Sequence, residues 1–173
     1  MTRIHKLTIL VSSLSLSCAA VAATETTTMP ITASVAAACS VSSAGADLGP
    51  IVAFTSASTS GTIDVNCSSG INYNVALNAG LHPLDGNSVR SMQSAGGDAI
   101  RYQIIKGSGT GGGGTQWGDS GLGNTYTGGT PALGFSNGTT QQLGFNVNIV
   151  GDGVNIYTPG ATYSDTVQIT VDF

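Results

Sequence analysis

The sequence predicts an all-β fold, a sandwich of two antiparallel sheets, and three observations carry that expectation. The first is composition: of 173 residues 25 are Gly and only 8% are charged, Thr, Ser, Val, Ile and Asn abound, and the helix formers Lys, Arg and Glu are nearly absent. The second is apolar residues at every second position in run after run, the period of a half-buried strand. The third is a set of turn signals between the runs: Ser69-Gly70, Asp85-Gly86-Asn87, Gly96-Gly97, Asn137-Gly138, Asp152-Gly153 and Pro159-Gly160.

Taken in chain order, the first element is a targeting segment rather than a strand. Arg3 and Lys6 precede the apolar stretch Leu7 to Leu16 and the small-residue run from Cys18 to Ala23, the three parts of a secretory signal peptide over residues 1–23. Its apolar core is too short to span a bilayer. A rival reading takes Cys18 as a lipid-modified cysteine, but Ser15 stands three residues before it, where a lipoprotein signal prefers Leu. Next comes an alternating run, Met29, Ile31, Ala33, Val35 and Ala37, ahead of the cysteine that begins the folded body. Ile63, Val65 and Cys67 form the following regular run, and Ile71, Tyr73, Val75 and Leu77 the next. Ile100, Tyr102 and Ile104 make another, then Leu143, Phe145, Val147 and Ile149. At the C-terminus Tyr163, Asp165, Val167, Ile169, Val171 and Phe173 share one parity. Shorter candidates lie at Val41 and from Ile51 to Phe54, and residues 107–130 read as a glycine-rich loop or ragged hairpin around Trp117. Seven or so short strands at this spacing suggest two sheets packed as in an immunoglobulin domain.

Charge and cysteine usage exclude several functions. Without the signal, Arg90, Arg101 and Lys106 are the only cations against nine acids, so neither nucleic acid nor anionic lipid is a fitting partner. No later run is long and apolar enough for a membrane helix. Cys18 leaves with the signal, and the two remaining cysteines, Cys39 and Cys67, enter an oxidising compartment where one disulfide is the simplest account. A metal site lacks partners, since His82 is then the only histidine. His82 also stands beside Pro83 in an apparent turn, with no Gly-x-Ser-x-Gly elbow in the chain, so it reads as a surface residue rather than a catalytic base. Asp85, Asp98, Asp119 and Asp152 sit among Gly and Asn and read as turn formers rather than a carboxylate pair or calcium site. Gly107, Gly109 and Gly112 spell out G-x-G-x-x-G, but more glycine follows where a nucleotide site needs a helix. The sequons at Asn66 and Asn137 read as strand and turn. No catalytic residue, cofactor or metal is expected.

The mature chain resembles the spore coat protein U domain family, which includes the Csu-type subunits of archaic chaperone-usher pili. The resemblance rests on the alternating run ahead of Cys39-Ser40-Val41, the strand from Gly61 to Cys67, Ile100-Arg101-Tyr102-Gln103-Ile104, the Trp117-Gly118-Asp119 element and the ending from Pro159 to Phe173. It implies an incomplete immunoglobulin-like sandwich lacking its last strand, residues 38–173, preceded by a donor strand, residues 24–37. Met29, Ile31, Ala33 and Val35 would be the donor plugs, and Val167, Ile169, Val171 and Phe173 a wall of the acceptor groove. A periplasmic chaperone, an outer-membrane usher and neighbouring subunits would be the partners, on a route through the periplasm to a cell-surface fimbria serving adhesion and biofilm formation. Pro30 departs from the pattern: lacking an amide hydrogen, either its nitrogen falls outside the ladder or the donor strand starts at Ile31. A secreted spore-coat or cell-surface protein is the alternative within the same family. A lectin-like tip adhesin using Trp117, Tyr126 and Tyr157 ranks below both, because the Trp-Gly-Asp element matches the family and points to packing or a subunit contact.

Overall fold

The computed structural model describes residues 23–107, 114–120, 122, 126, 128–149, 155 and 157–173. They fall into two units, one ending at Ser34 and the other Val35–Phe173. The signal-peptide reading lies outside the described residues except for Ala23, as do Asp152, Gly109 and Gly112. Residues 23–38 are assigned no strand, and Met29, Ile31 and Val35 are exposed.

The second unit is all-β among the described residues. Its strands are β1 (Cys39–Ser43), β2 (Ala57–Cys67), β3 (Asn72–Leu77), β4 (Arg90–Ser94), β5 (Ala99–Lys106), β6 (Ala132–Phe135), β7 (Gln141–Ile149), β8 (Tyr163–Ser164) and β9 (Ile169–Asp172). They form a six-stranded sheet ordered β1-β2-β7-β5-β4-β8 and a three-stranded sheet ordered β6-β3-β9, with every pairing antiparallel. Alternation decides which face is buried: Ile63, Val65 and Cys67 on β2 point inward, with Ile100, Tyr102 and Ile104 on β5 and Phe145, Val147 and Ile149 on β7. Tyr73, Val75 and Leu77 close the core from the small sheet.

Three expectations are corrected here. Ile51 to Phe54 is a turn, not a strand: the Thr55 amide donates to the Val52 carbonyl, and Phe54 has a φ of 64°. The C-terminal run is two strands rather than one, because the chain changes sheets. Tyr163 and Ser164 pair with Ser94 and Gln93 in the large sheet, residues 165–168 cross over, and Ile169–Asp172 pairs with β3 in the small one. Asp119 is buried: its carboxylate accepts from the Tyr126 amide, although its carbonyl does serve the turn to Leu122. The turn at Asp85-Gly86-Asn87 forms as expected, with all three residues at positive φ and a bridge from Leu84 to Val89 closing it.

Candidate functional site, a groove between two open strand edges

The site grows from the alternation in two edge strands. β1 has one ladder partner, β2, in the register Cys39 to Cys67, Val41 to Val65 and Ser43 to Ile63. Just outside the strand the Ser68 amide donates to the Ala38 carbonyl at 2.9 Å, which fixes the phase of the ladder. Antiparallel pairs alternate between hydrogen-bonded and non-hydrogen-bonded, so the backbone groups of Cys39, Val41 and Ser43 face away from β2, toward the open edge. The side chains of these same residues point inward. Cys39 and Cys67 are joined by the expected disulfide, which staples a directly opposed pair with Cα atoms 4.0 Å apart.

β9 is the counterpart in the other sheet. It pairs only with β3, Ile169 opposite Leu77 and Val171 opposite Val75. The Asn78 amide donates to the Gln168 carbonyl, so the same phase argument turns the backbone groups of Ile169 and Val171 toward an unpaired edge. Two sheet edges thus expose ladder groups above inward-pointing apolar side chains.

A cavity of about 1090 Å³ lies between the sheets, and Val41 on β1 and Val167 and Ile169 from the other edge all line it. Its floor is core side chain: Ile63, Leu77, Ile100, Ile104, Phe145 and Val147. Val41 is on the inner face yet is 37% exposed, as a core residue is when a layer above it is missing. The Phe145 ring lies over Gly61 on β2, where a Cβ would come within 2.5 Å of it. The loop from Gly45 to Ile51 and residues 157–164 supply the remaining walls.

A side-chain hydrogen bond from the floor is built into this lining. The Tyr102 hydroxyl donates to the Asp165 carboxylate at 2.5 Å, and the same carboxylate accepts from the Leu81 and Thr166 amides at 2.8 Å each. Burial, reinforced by the bond to Asp165, holds the Tyr102 phenol far above its ordinary pKa. Nearby, Arg90 is fully buried, donating through Nε and Nη2 to the carbonyls of Asn78 and Leu77 at 2.8 Å each and stacking 3.8 Å over the Tyr126 ring. Burial lowers its pKa. This cluster fixes the end of β3, and with it the strand on which β9 rests.

Of the residues singled out in the sequence, Val167 and Ile169 line the cavity, Val171 packs on the core, and Phe173 is exposed. Trp117 and Tyr126 are buried, Trp117 donating through Nε1 to the Val75 carbonyl, so neither ring offers a face to a sugar. Tyr157 is half-buried, edge-on to Phe54. The His82 carbonyl accepts from the Ser91 hydroxyl, and Asp85 pairs with Arg101 at 3.4 Å. Among the described residues no group of three or more His, Cys, Asp or Glu is arranged to hold a metal, and no helix is long and apolar enough to cross a membrane. Sequence reading missed the loop walls, the Gly61–Phe145 contact and the role of Asp165. The signal for the last was an acid in an apolar parity.

The family model of the Spore Coat Protein U domain matches residues 25–170. Among solved structures the chain is similar to one in the CsuC-CsuE chaperone-tip adhesion subunit pre-assembly complex from archaic chaperone-usher Csu pili of Acinetobacter baumannii. Identity is 26%, the TM-score is 0.56, and the match covers 80% of this chain and 40% of that one. No curated protein matches.

Proposed function

As the chain belongs to the Spore Coat Protein U domain family, we propose that it is a structural subunit of a surface pilus built by donor-strand exchange. The observation that carries this is the groove: an apolar slot between two unpaired strand edges, in a chain whose N-terminal segment repeats apolar residues at the period of a strand. A periplasmic chaperone would first fill the slot, an outer-membrane usher would receive the complex, and the segment 24–37 of the next subunit would then replace the chaperone's strand. The chaperone–subunit complex named for the structural neighbour supports the first of these partners. The finished fibre would stand on the cell surface and serve adhesion and biofilm formation.

The physics is strand addition, in which ladder bonds supply affinity and alternate side chains fill pockets. Met29, Ile31 and Val35 are exposed in this chain, and burying them in a neighbour would contribute about 1.5–3 kcal/mol each. Ladder bonds to Val41, Ile169 and Val171 would add about 0.5–1.5 kcal/mol apiece. The sum is comparable to the whole stability of a domain, about 5–15 kcal/mol. A subunit with an empty groove would therefore be marginal and a fibre very slow to dissociate. Because each copy donates at one end and accepts at the other, the contact is heterologous and does not close on itself, which is the geometry of a filament.

Ile31→Asp tests this by placing a charge among apolar floor residues. Secretion and chaperone binding are expected to persist while heat-resistant polymer disappears from gels. Polymer at the wild-type level would remove the proposal. A secreted spore-coat or cell-surface protein assembled without an usher is the second reading, favoured by the family's name, and gene neighbours encoding a chaperone and an usher separate the two. The lectin-like tip adhesin loses its stacking platform with Trp117 and Tyr126 buried.

A further inference from the structure

Two sheets present four edges, and strand exchange at the wrong one would produce aggregate instead of fibre. Among the described residues the four differ sharply. β1 and β9 flank the groove, contain no proline, and have no side chain bonded to the edge-facing carbonyls of Val41, Ile169 or Val171. β8 is two residues long, too short to template a partner. That leaves β6.

β6 carries the composition of a hazardous edge. Leu133 is 81% exposed and Phe135 58% exposed. The Ser136 amide donates to the Ile71 carbonyl at 2.8 Å, and continuing that alternation makes Tyr73 with Gly134 and Val75 with Ala132 the hydrogen-bonded pairs. The backbone groups of Pro131, Leu133 and Phe135 then face the unpaired side. Yet the two ends of this edge are already closed, two of its five ladder groups being bonded to side chains. Pro131 has no amide hydrogen, and its carbonyl accepts from Lys106 Nζ at 3.0 Å; the same ammonium donates to the Thr130 carbonyl at 3.1 Å and hydroxyl at 2.8 Å. The Phe135 carbonyl accepts from Gln141 Nε2 at 2.9 Å, and the Tyr73 hydroxyl, bonded to Gln141 Oε1, holds that amide in place. Only the amide and carbonyl of Leu133 and the amide of Phe135 are left for an incoming strand.

We propose that Lys106, Pro131 and Gln141 close the β6 edge and so confine strand addition to the groove between β1 and β9. The three are specificity determinants of assembly, acting by blocking the competing edge. The proposal rests on the donor-strand reading, and its test separates the two. Mature chain, wild type or Lys106→Met/Pro131→Thr, is mixed with an excess of a synthetic peptide of residues 24–37, and the mass in solution is followed by light scattering. In the wild type the peptide fills every groove and association stops at one chain with one peptide. In the variant, association is expected to continue to at least twice that mass, and to stop again when Leu133→Lys puts a charge on the reopened edge. Lys106→Arg, which keeps a donor, behaves as wild type. Each single substitution is made as well, so that a folded variant, checked by circular dichroism, is on hand. Variant and wild type both held at one chain by the peptide would overturn the closed edge while leaving the donor strand standing, as would association indifferent to Leu133→Lys. A peptide that binds neither protein overturns the donor-strand reading and this inference with it.

Discussion

Gly61 is the residue on which the depth of the groove depends. It faces inward from β2, and the Phe145 ring occupies the space its missing side chain leaves. A Cβ there would meet the ring's far edge at 2.5 Å, and the ring's available direction of retreat is the cavity it lines. Gly61→Ala should therefore cost the free subunit little, within about 1 kcal/mol, since a ring moving into open space strains nothing else. The same movement narrows the slot. The expected outcome is a thermal midpoint close to wild type with peptide 24–37 binding several-fold weaker, read by fluorescence anisotropy of a labelled peptide. Equal affinity would mean that Phe145 is not part of the floor a donor strand meets. Nothing in the sequence marked Gly61 beyond its place in an alternating run, because what it makes room for lies on another strand.

At the scale of elements, the strands legible in the sequence are those whose two faces meet different environments. β2, β3, β5 and β7 alternate between core and a polar or solvent face, and their apolar parity appears directly in the chain. β4 escaped notice because its inward parity mixes Met92 with Arg90, whose guanidinium is buried by hydrogen bonds to carbonyls of Leu77 and Asn78 that no local pattern announces. β6 escaped because its four residues, preceded by Pro131 and interrupted by Gly134, carry too short an alternation to show; in the fold Pro131 blunts the edge and Gly134 makes room for the Tyr73 ring. The C-terminal run kept its parity through the crossover, so period two could not show that it serves both sheets. Of the groove, Val167 and Ile169 were legible in the chain, whereas the loop walls, which depend on the topology, were not. The disulfide follows the same logic of elements. β1 is a five-residue edge strand with one partner, and the Cys39–Cys67 bond holds it in register. Cys39→Ser with Cys67→Ser should lower stability by about 3–4 kcal/mol. It should also loosen the Val41 edge, so that peptide 24–37 binds more weakly at temperatures where the rest of the fold survives. Full peptide affinity in the folded double variant would show that β1 needs no staple to act as an acceptor edge.

At the scale of the whole molecule, stability comes from burial and ladder bonds, not from charge pairing. The described ion pair Arg101–Asp85 has side chains 39% and 56% exposed and contributes little at physiological salt. The titrations that matter are instead those of buried phenols. Tyr102 is raised by burial and by the Asp165 carboxylate, and Tyr126 by burial, with Arg90 opposing. A group whose folded pKa lies above its unfolded value, about 10 for tyrosine, contributes stability that is fully present below that value and is lost as pH rises through the folded pKa. The thermal midpoint should therefore hold steady from neutral pH to about 9 and fall steeply beyond about 10, where the unfolded chain releases phenolic protons that the native state retains. Tyr102→Phe separates the contributions. It leaves Asp165 with the Leu81 and Thr166 amides and should cost about 1.5–3 kcal/mol at neutral pH, the range for a hydrogen bond to a charged group. Its alkaline fall should be shallower than that of the wild type, because one of the raised phenols is gone. Parallel wild-type and Tyr102→Phe curves would mean that the Tyr102–Asp165 bond at the groove carries none of the alkaline sensitivity, leaving Tyr126 beside Arg90 and Tyr73, also raised by burial, to account for it.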